Sequence, residues 1–470
     1  MKRKAFACGA LLTAAWAAAL GAQNPAPAAS DTGFAARVDS IARQVLQATG
    51  VPSATVAVVR GGKLAYAQAY GSARLDPATP ALPSMRYSIG SISKQFAASC
   101  ILLLQQQHKL SLDDPVSRFL PGLTRAREVT IRELLSHTSG YQDFWPQDYT
   151  PVFMTHPITP AEILDRWAKK PLDFDPGTRW QYSNTNYVIA GLIVEKAGGM
   201  PFFAFLRQRI LEPLGIASAL NSDAARLEAS DPAGYMRYGL GPLRPAVDEG
   251  GGWMYAAGEL AMTASDLAKW DISVMDRSLL APASYRDLET EVQLKNGVGT
   301  GYALGLDVGM SAGHRVLEHS GEVPGFTASN LVFPDDSAAV VVLTNEDAST
   351  AAGAISQAIG RLLFSTQDAS TRAREAEALG IFAGLQHGAI DRSLLTADAS
   401  AYFDAQALGD FASGLAPLGA PRSFNQVFQG ERGGMMERVY RAVFEHQVLR
   451  VWTYEMPDGK LEQYQVAPQN

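Results

Sequence analysis

Tyr87-Ser88-Ile89-Gly90-Ser91-Ile92-Ser93-Lys94 is the stretch on which the fold turns. The Gly90 turn gives way to an apolar helix over residues 95–105. Ser91 therefore stands at a helix start and feels the positive end of the helix dipole. Lys94 comes three residues later, on the same face and one turn away. A neutral amine at that spacing can take the proton of the hydroxyl and activate it for attack. The same letters also describe a capped helix start with a solvated lysine, so the rest of the chain has to decide.

Working outward, residues 33–50 carry helical spacing through Phe34, Val38, Ile41, Val45 and Leu46. Residues 54–60 and 64–71 are β-type runs separated by Gly61 and Gly62, the signature of a hairpin. Residues 91–288 are mostly helical in pattern, with proline and glycine breaks. Strand patterns return at residues 302–309, 315–320, 326–333 and 338–344, and a helix follows over 351–364. Strands at both ends with helices between them imply one sheet built from both ends of the chain and an inserted helical subdomain. A second domain is expected over residues 370–470. Its helices fall at 373–386 and 404–418 and its strands at 423–428, 438–444, 448–455 and 460–466. The last is reached through the Pro457-Asp458-Gly459 turn. That order is a small α+β pattern.

The 470 residues are 47% hydrophobic and 19% charged, a globular composition. The net charge of -7, without a basic run, argues against nucleic acid as a partner. Lys2, Arg3 and Lys4 precede an apolar stretch over residues 10–20, with small residues leading to Ala22. Residues 1–22 read as a secretory signal peptide and 23–32 as a flexible leader, so the mature protein is expected in the periplasm or secreted. No transmembrane segment is expected after signal cleavage. Cys8 lies in or before the apolar stretch, which argues against lipidation. Cys100 is then left alone, and neither a disulfide nor a cysteine metal framework is expected. The histidines at 108, 137, 156, 314, 319, 387 and 446 show no ligand spacing, so no metal and no cofactor are expected.

Two more segments carry chemistry. Tyr182-Ser183-Asn184 offers a phenol beside a lysine for proton relay, and an amide with both a donor and an acceptor for a substrate. Its plain alternative is a polar turn before a helix. His319-Ser320-Gly321 closes a strand, where a backbone N–H can meet an oxyanion and glycine permits close approach. Its plain alternative is a strand end with a surface histidine. Gly309-Met310-Ser311-Ala312-Gly313 matches G-x-S-x-G, but a strand follows it where a nucleophile elbow needs a helix, so Ser311 reads as a hairpin turn. His137 is expected to be a structural hydrogen-bonding residue.

Taken together and in this order, Ser91–Lys94, Tyr182–Asn184 and His319–Gly321 resemble the three motifs of the penicillin-recognising serine hydrolases. Leu134-Leu135-Ser136-His137-Thr138-Ser139-Gly140 and Pro324-Gly325-Phe326 are similar to family consensus. The resemblance spans residues 35–364. It falls in the branch of class C β-lactamases, D-aminopeptidases, D-alanyl-D-alanine carboxypeptidases and family VIII esterases. It implies an α+β fold for residues 33–367: a β-lactamase-like antiparallel sheet flanked by helices. It also implies an acyl-enzyme on Ser91, with Lys94 and Tyr182 sharing the base and acid work. Asn184 would orient the substrate, and the backbone N–H groups of Ser91 and Glu322 would form the oxyanion hole beside Gly321.

His319 would take the place of a class C lysine and face the substrate carboxylate. As a mostly neutral side chain it would disfavour β-lactams and favour esters, amides or D-amino acid derivatives, with anionic substrates gaining near about pH 5.5. Glu259 and Glu322 stand where relatives carry small residues, and either carboxylate would repel anions or point into solvent. Tyr141 is expected at the pocket rim, with Trp145, Tyr149, Phe153 and Trp253 lining the cleft or burying in the core. The C-terminal domain resembles the cystatin-like or NTF2-like type and carries no constellation of its own; its partner is unknown. The implied protein is an exported serine hydrolase acting on small-molecule, peptide or peptidoglycan-type substrates. A non-catalytic penicillin-binding-like sensor or scaffold is the alternative.

Overall fold

In the computed structural model, strand β1 (Ser53–Arg60) is buried over seven of its eight residues, because alanine and β-branched residues meet neighbours on both faces. It pairs on one side with β2 (Lys63–Leu75), which continues to β3 (Ala78–Pro80). Gly61 and Gly62 have φ of 56° and 70°, as a two-residue hairpin turn requires. The other half of the sheet comes from β4 (Asp307–Ser311), β5 (His314–Val323), β6 (Phe326–Phe333) and β7 (Ala338–Thr344). The seven strands run β3-β2-β1-β7-β6-β5-β4, all antiparallel, so the two ends of this unit meet along β1 and β7. The structure describes residues 29–364 and 369–468. The expected signal peptide, 1–22, and residues 23–28 of the leader lie outside them.

Helices α1 (Ala29–Thr49), α2 (Ser93–Gln106), α3 (Asn184–Gly198), α4 (Ala264–Asp276) and α5 (Ala351–Phe364) build the layers around the sheet. Helix α1 starts four residues inside the expected leader, where alanine's helix propensity prevails. Ser329 of β6 meets Ser356 of α5 at 2.7 Å. The next residue, Asn330, donates to Asp271 of α4 at 2.9 Å. Successive strand residues point to opposite faces, so α4 and α5 cover opposite sides of the sheet. Tyr66 lies in the cross-strand row Tyr66–Val58–Val340–Leu331 and hydrogen-bonds Asp39 of α1. Leu331 packs at Gly360, which puts α1 on the α5 side. Helix α2 lies on the α4 side. There Gln95 donates to Asn330 at 3.1 Å and accepts from the Trp270 indole at 2.7 Å.

The expected strand over 302–309 begins only at Asp307. Gly305, at φ 79°, passes so close to α2 that a Cβ there would stand 2.8 Å from the Lys94 carbonyl oxygen. Ser311 ends β4 at a two-residue turn in which Ala312 and Gly313 have φ of 53° and 82°. The inserted region is helical as expected, with two additions among the described residues, a short sheet of Tyr87–Ser88, Leu260–Met262 and Leu220–Asn221 and a pair of two-residue strands, Tyr235–Met236 and Arg244–Pro245. Among the described residues no single helix is long and apolar enough to cross a membrane.

The chain divides into two compact units, 1–362 and 363–470, a few residues before the expected boundary. The second unit has helices α6 (Ala369–Gln386), α7 (Ala397–Tyr402) and α8 (Ala405–Leu415), then the antiparallel meander β8 (Ser423–Arg432), β9 (Met435–Val443), β10 (Val448–Glu455) and β11 (Leu461–Pro468). Phe382, Phe403, Tyr440, Val451 and Tyr464 form its core.

Candidate active site

Helix α2 is buried along most of its length, and this sets the character of Lys94. Ser91 sits half-buried in the 3-10 turn Gly90–Ile92 that leads into the helix. Lys94 points into the interior with no exposure at all. Its Nζ lies 3.0 Å from Ser91 Oγ, 2.8 Å from Asn184 Oδ1 and 2.8 Å from the Ala257 carbonyl oxygen. Burial disfavours the ammonium and brings the lysine pKa down to about 7, against the opposing field of Asp143. About half of the Lys94 amines are then neutral at pH 7. Two carbonyl acceptors hold two N–H bonds of that amine, which leaves its lone pair directed at Ser91.

Tyr182 is brought in by the turn over residues 136–140. His137 adopts φ 60°, accepts from the Ser183 N–H at 3.2 Å through Nδ1, and offers its carbonyl to the Gln181 N–H at 3.0 Å. Its ring packs tilted against Tyr182, with centroids 4.3 Å apart, and Lys94 Nζ stands 4.9 Å from the centre of the tyrosine ring. Burial holds His137 neutral. It is a scaffold for Tyr182, as its turn context suggested. The Tyr182 hydroxyl is buried and makes no hydrogen bond of good geometry, although Ser91 is its polar neighbour. Burial pushes the phenol pKa up, so it keeps its proton.

Asn184 opens α3 and bridges to a residue that motif reading passed over. Asp143, in the loop after the 136–140 turn, accepts the Asn184 backbone N–H at 2.9 Å and the side-chain Nδ2–H at 3.3 Å. Burial raises the pKa of Asp143, against the hydrogen bonds from Trp145 and Asn184 and the field of Lys94. Nothing local in Tyr141-Gln142-Asp143 marks it, because its partner lies 41 residues away.

Strand β5 closes the other side. A Cβ on Gly90 would fall 2.8 Å from the Glu322 backbone nitrogen. Only glycine lets these main chains approach, and Gly90 also has φ 52°. The 90–91 turn and the Glu322 backbone thereby come together beside the Ser91 side chain.

His319 departs from the expectation for it. It is 5% exposed; its Nε2 pairs with the Tyr302 hydroxyl at 2.9 Å and its Nδ1 with the Ser320 carbonyl oxygen at 2.6 Å. Both nitrogens are engaged, and burial with the Lys94 charge brings its pKa down to about 4. It is held neutral across the physiological range, with both ring nitrogens turned to interior partners. Tyr302, reached through the irregular approach to β4, was missed for that reason.

Tyr141 is not at the rim. It is 2% exposed, with its hydroxyl donating to the Thr124 carbonyl oxygen at 2.9 Å, because the Ser139 hydroxyl accepts its N–H and turns it inward. Glu259 neither faces the pocket nor reaches solvent. It is buried, with Oε2 accepting from Asn221 at 2.9 Å and Oε1 without a partner. Phe153 packs against Trp167 and Trp253.

A cavity of about 150 Å³ opens beside Ser91 and Asn184, walled by Trp145, Tyr149 and Trp253. Asp148, Glu322 and Asp347 also line it, and among the described residues no lysine or arginine does. Glu322 Oε1 accepts from the Ala348 N–H at 2.9 Å, and burial raises the pKa of both Glu322 and Asp347. Ser311 has no part in this site; its hydroxyl donates to Gln357.

Residues 38–362 match the sequence profile of the family described as Beta-lactamase. The chain is 28% identical over 315 residues to Penicillin-binding protein 4* of Bacillus subtilis (strain 168), an alignment covering 63% of this chain and 68% of that one. The crystal structure of a D-stereospecific amidohydrolase from Streptomyces sp. superposes with a TM-score of 0.59 at 26% identity, over 71% of this chain and 99% of its own. The octameric penicillin-binding protein homologue from Pyrococcus abyssi shares the fold over 93% of this chain and 96% of its own, with a TM-score of 0.63 and 22% identity.

Proposed function

From the premise that the chain belongs to the beta-lactamase family, we propose that it is an exported serine hydrolase that works through an acyl-enzyme on Ser91. The observation that carries this reading is the setting of Lys94: 3.0 Å from Ser91 Oγ, wholly buried, with two carbonyl oxygens fixing its N–H bonds. The neutral amine takes the Ser91 proton as Oγ attacks the substrate carbonyl. The backbone N–H groups of Ser91 and Glu322 take the developing oxyanion. Tyr182, held protonated, gives a proton to the leaving amine or alkoxide and is refilled from the Lys94 ammonium. Water then enters with the proton flow reversed, releasing the acid and free Ser91.

The pocket narrows the substrate class. Among the described residues three carboxylates and no lysine or arginine line it, so an acyl group bearing a negative charge is disfavoured. D-amino acid amides or peptides and small esters fit; β-lactam turnover would be weak at best. Similarity to the D-stereospecific amidohydrolase from Streptomyces sp. supports the amide reading. Export rests on the basic start and apolar stretch of residues 1–22. The test is fluorophosphonate labelling followed by a panel of p-nitrophenyl esters, D-alanine amides and nitrocefin, in wild type and Ser91→Ala. Labelling at Ser91 with ester and amide turnover is the expected result. A wild type that neither labels nor hydrolyses any of them overturns the reading.

A further inference from the structure

Asn184 stands between two groups whose chemistry allows it one orientation. Its Oδ1 faces Lys94 Nζ at 2.8 Å, and its Nδ2 faces Asp143 Oδ2 at 3.3 Å. The lysine ammonium only donates and an ionised carboxylate only accepts, so both neighbours demand the same amide setting. Asp143 is itself fixed, with Oδ1 accepting the N–H groups of Trp145 at 3.1 Å and Asn184 at 2.9 Å. We infer that Asp143 is a positioning residue that sets the orientation of Asn184 and, through it, the direction of the Lys94 lone pair toward Ser91. This rests on Lys94 acting as the base of the proposed hydrolysis.

Asp143 makes no contact with the reacting oxygen; it acts through Asn184. Without the acceptor-only carboxylate, the Asn184 amide is free to turn its NH2 toward Lys94. A neutral Lys94 would then accept from Asn184, and its lone pair would leave Ser91. Asp143 has a second effect, on charge. The titratable groups around Lys94 are His137 from the 136–140 turn, His319 from β5, Tyr182, Tyr187 from α3, and Asp143. Burial keeps both histidines neutral and both tyrosines protonated. Asp143 is the group whose field supports the ammonium. Removing it lowers the Lys94 pKa further and moves the acid limb of the rate profile to lower pH.

The test reads Lys94 directly, without depending on hydrolysis. Protein labelled with 13Cε-lysine is titrated, and the Lys94 signal is assigned by its loss in Lys94→Ala. The wild-type midpoint is expected near about 7. In Asp143→Asn the midpoint falls, and the acid limb of kcat/KM for a neutral p-nitrophenyl ester falls with it. The plateau kcat drops roughly tenfold to a hundredfold, with a smaller change in KM. An unchanged Lys94 midpoint in folded Asp143→Asn overturns the inference, as does a full plateau kcat. Should Asp143→Asn not fold, Asp143→Ser keeps a small acceptor, removes the charge and is judged by the same two readouts. A lowered midpoint in a protein whose Ser91 never acylates keeps the Asp143 field at Lys94 and removes only the hydrolase reading, so the two failures are distinguishable.

Discussion

A Cβ on Gly321 would stand 1.9 Å from the carbonyl oxygen of Ile89, so strand β5 and the turn before Ser91 touch main chain to main chain. No side chain adjusts to relieve such a contact; one backbone has to move. Gly321→Ala should therefore separate the Ser91 and Glu322 N–H groups. The expected result is a folded protein whose kcat/KM for esters is lower by roughly 10²–10³-fold, the loss that follows removal of an oxyanion donor. Steady-state kinetics beside a thermal melt checks it, and full activity would remove the two-amide oxyanion pocket from the mechanism.

The ionisation of Lys94 should dominate the pH profile. With its pKa brought down to about 7, the base is inactive as ammonium below that pH and active above it. For a neutral ester, kcat/KM should rise through about pH 7 and level off about one unit higher. Lys94→Ala should lose roughly 10²–10⁴-fold in kcat, the usual share of general acid–base catalysis. A flat profile between pH 5.5 and 8 in the wild type would take Lys94 out of the base's position.

His319 should not respond over the same range. Its pKa near about 4 lies below it, so the ratio of anionic to neutral substrate rates should stay constant from about pH 5.5 to 8. His319→Lys would place a second cation in a buried site already under the Lys94 charge. The expected effect is destabilisation of about 3 kcal/mol or more, read by urea unfolding, and not a gain on carboxylate substrates.

Charge at the pocket wall should govern selectivity. Glu322→Gln removes one of three lining carboxylates while keeping an oxygen for the Ala348 N–H. Relative kcat/KM for anionic over neutral esters should rise severalfold, and rise less at high salt because half-exposed charges are screened. An unchanged ratio would mean that the acyl group does not approach Glu322.

Glu259 should make stability fall with rising pH. Its folded-state pKa is raised far above 4.5 by burial. Its contribution is therefore favourable below the unfolded pKa and is lost as pH climbs toward the folded one. Glu259→Gln should melt roughly 2 °C or more above the wild type at about pH 8, with no gain near pH 4. Differential scanning calorimetry at the two pH values decides it.

Much of this was legible in the chain because the motifs are local. Ser91 and Lys94 share one helix turn, and Tyr182 and Asn184 flank one helix start. The paired strands at the two chain ends follow from alternating and continuously apolar runs. What was not legible depends on partners far away in sequence. Asp143 finds its partner only across from Asn184, and His319 Nε2 is occupied only because Tyr302 reaches it. Tyr141 and Glu259 were misplaced because their polar ends find interior partners that no periodicity announces. The start of β4 was misjudged because Gly305 yields its strand geometry to the passage of α2.

The joining of β1 to β7 also constrains the order of events during synthesis. Val56 pairs with Val342, and every contact between those strands spans most of the unit. Until the chain has been made as far as residue 344, β1 has an open edge of unpaired backbone groups on a largely apolar strand. Such long-range pairing forms slowly and leaves sticky intermediates. Labelling of Ser91 by a fluorophosphonate, measured on chains truncated before Ala338 and after Thr344, should therefore appear only once β7 is present.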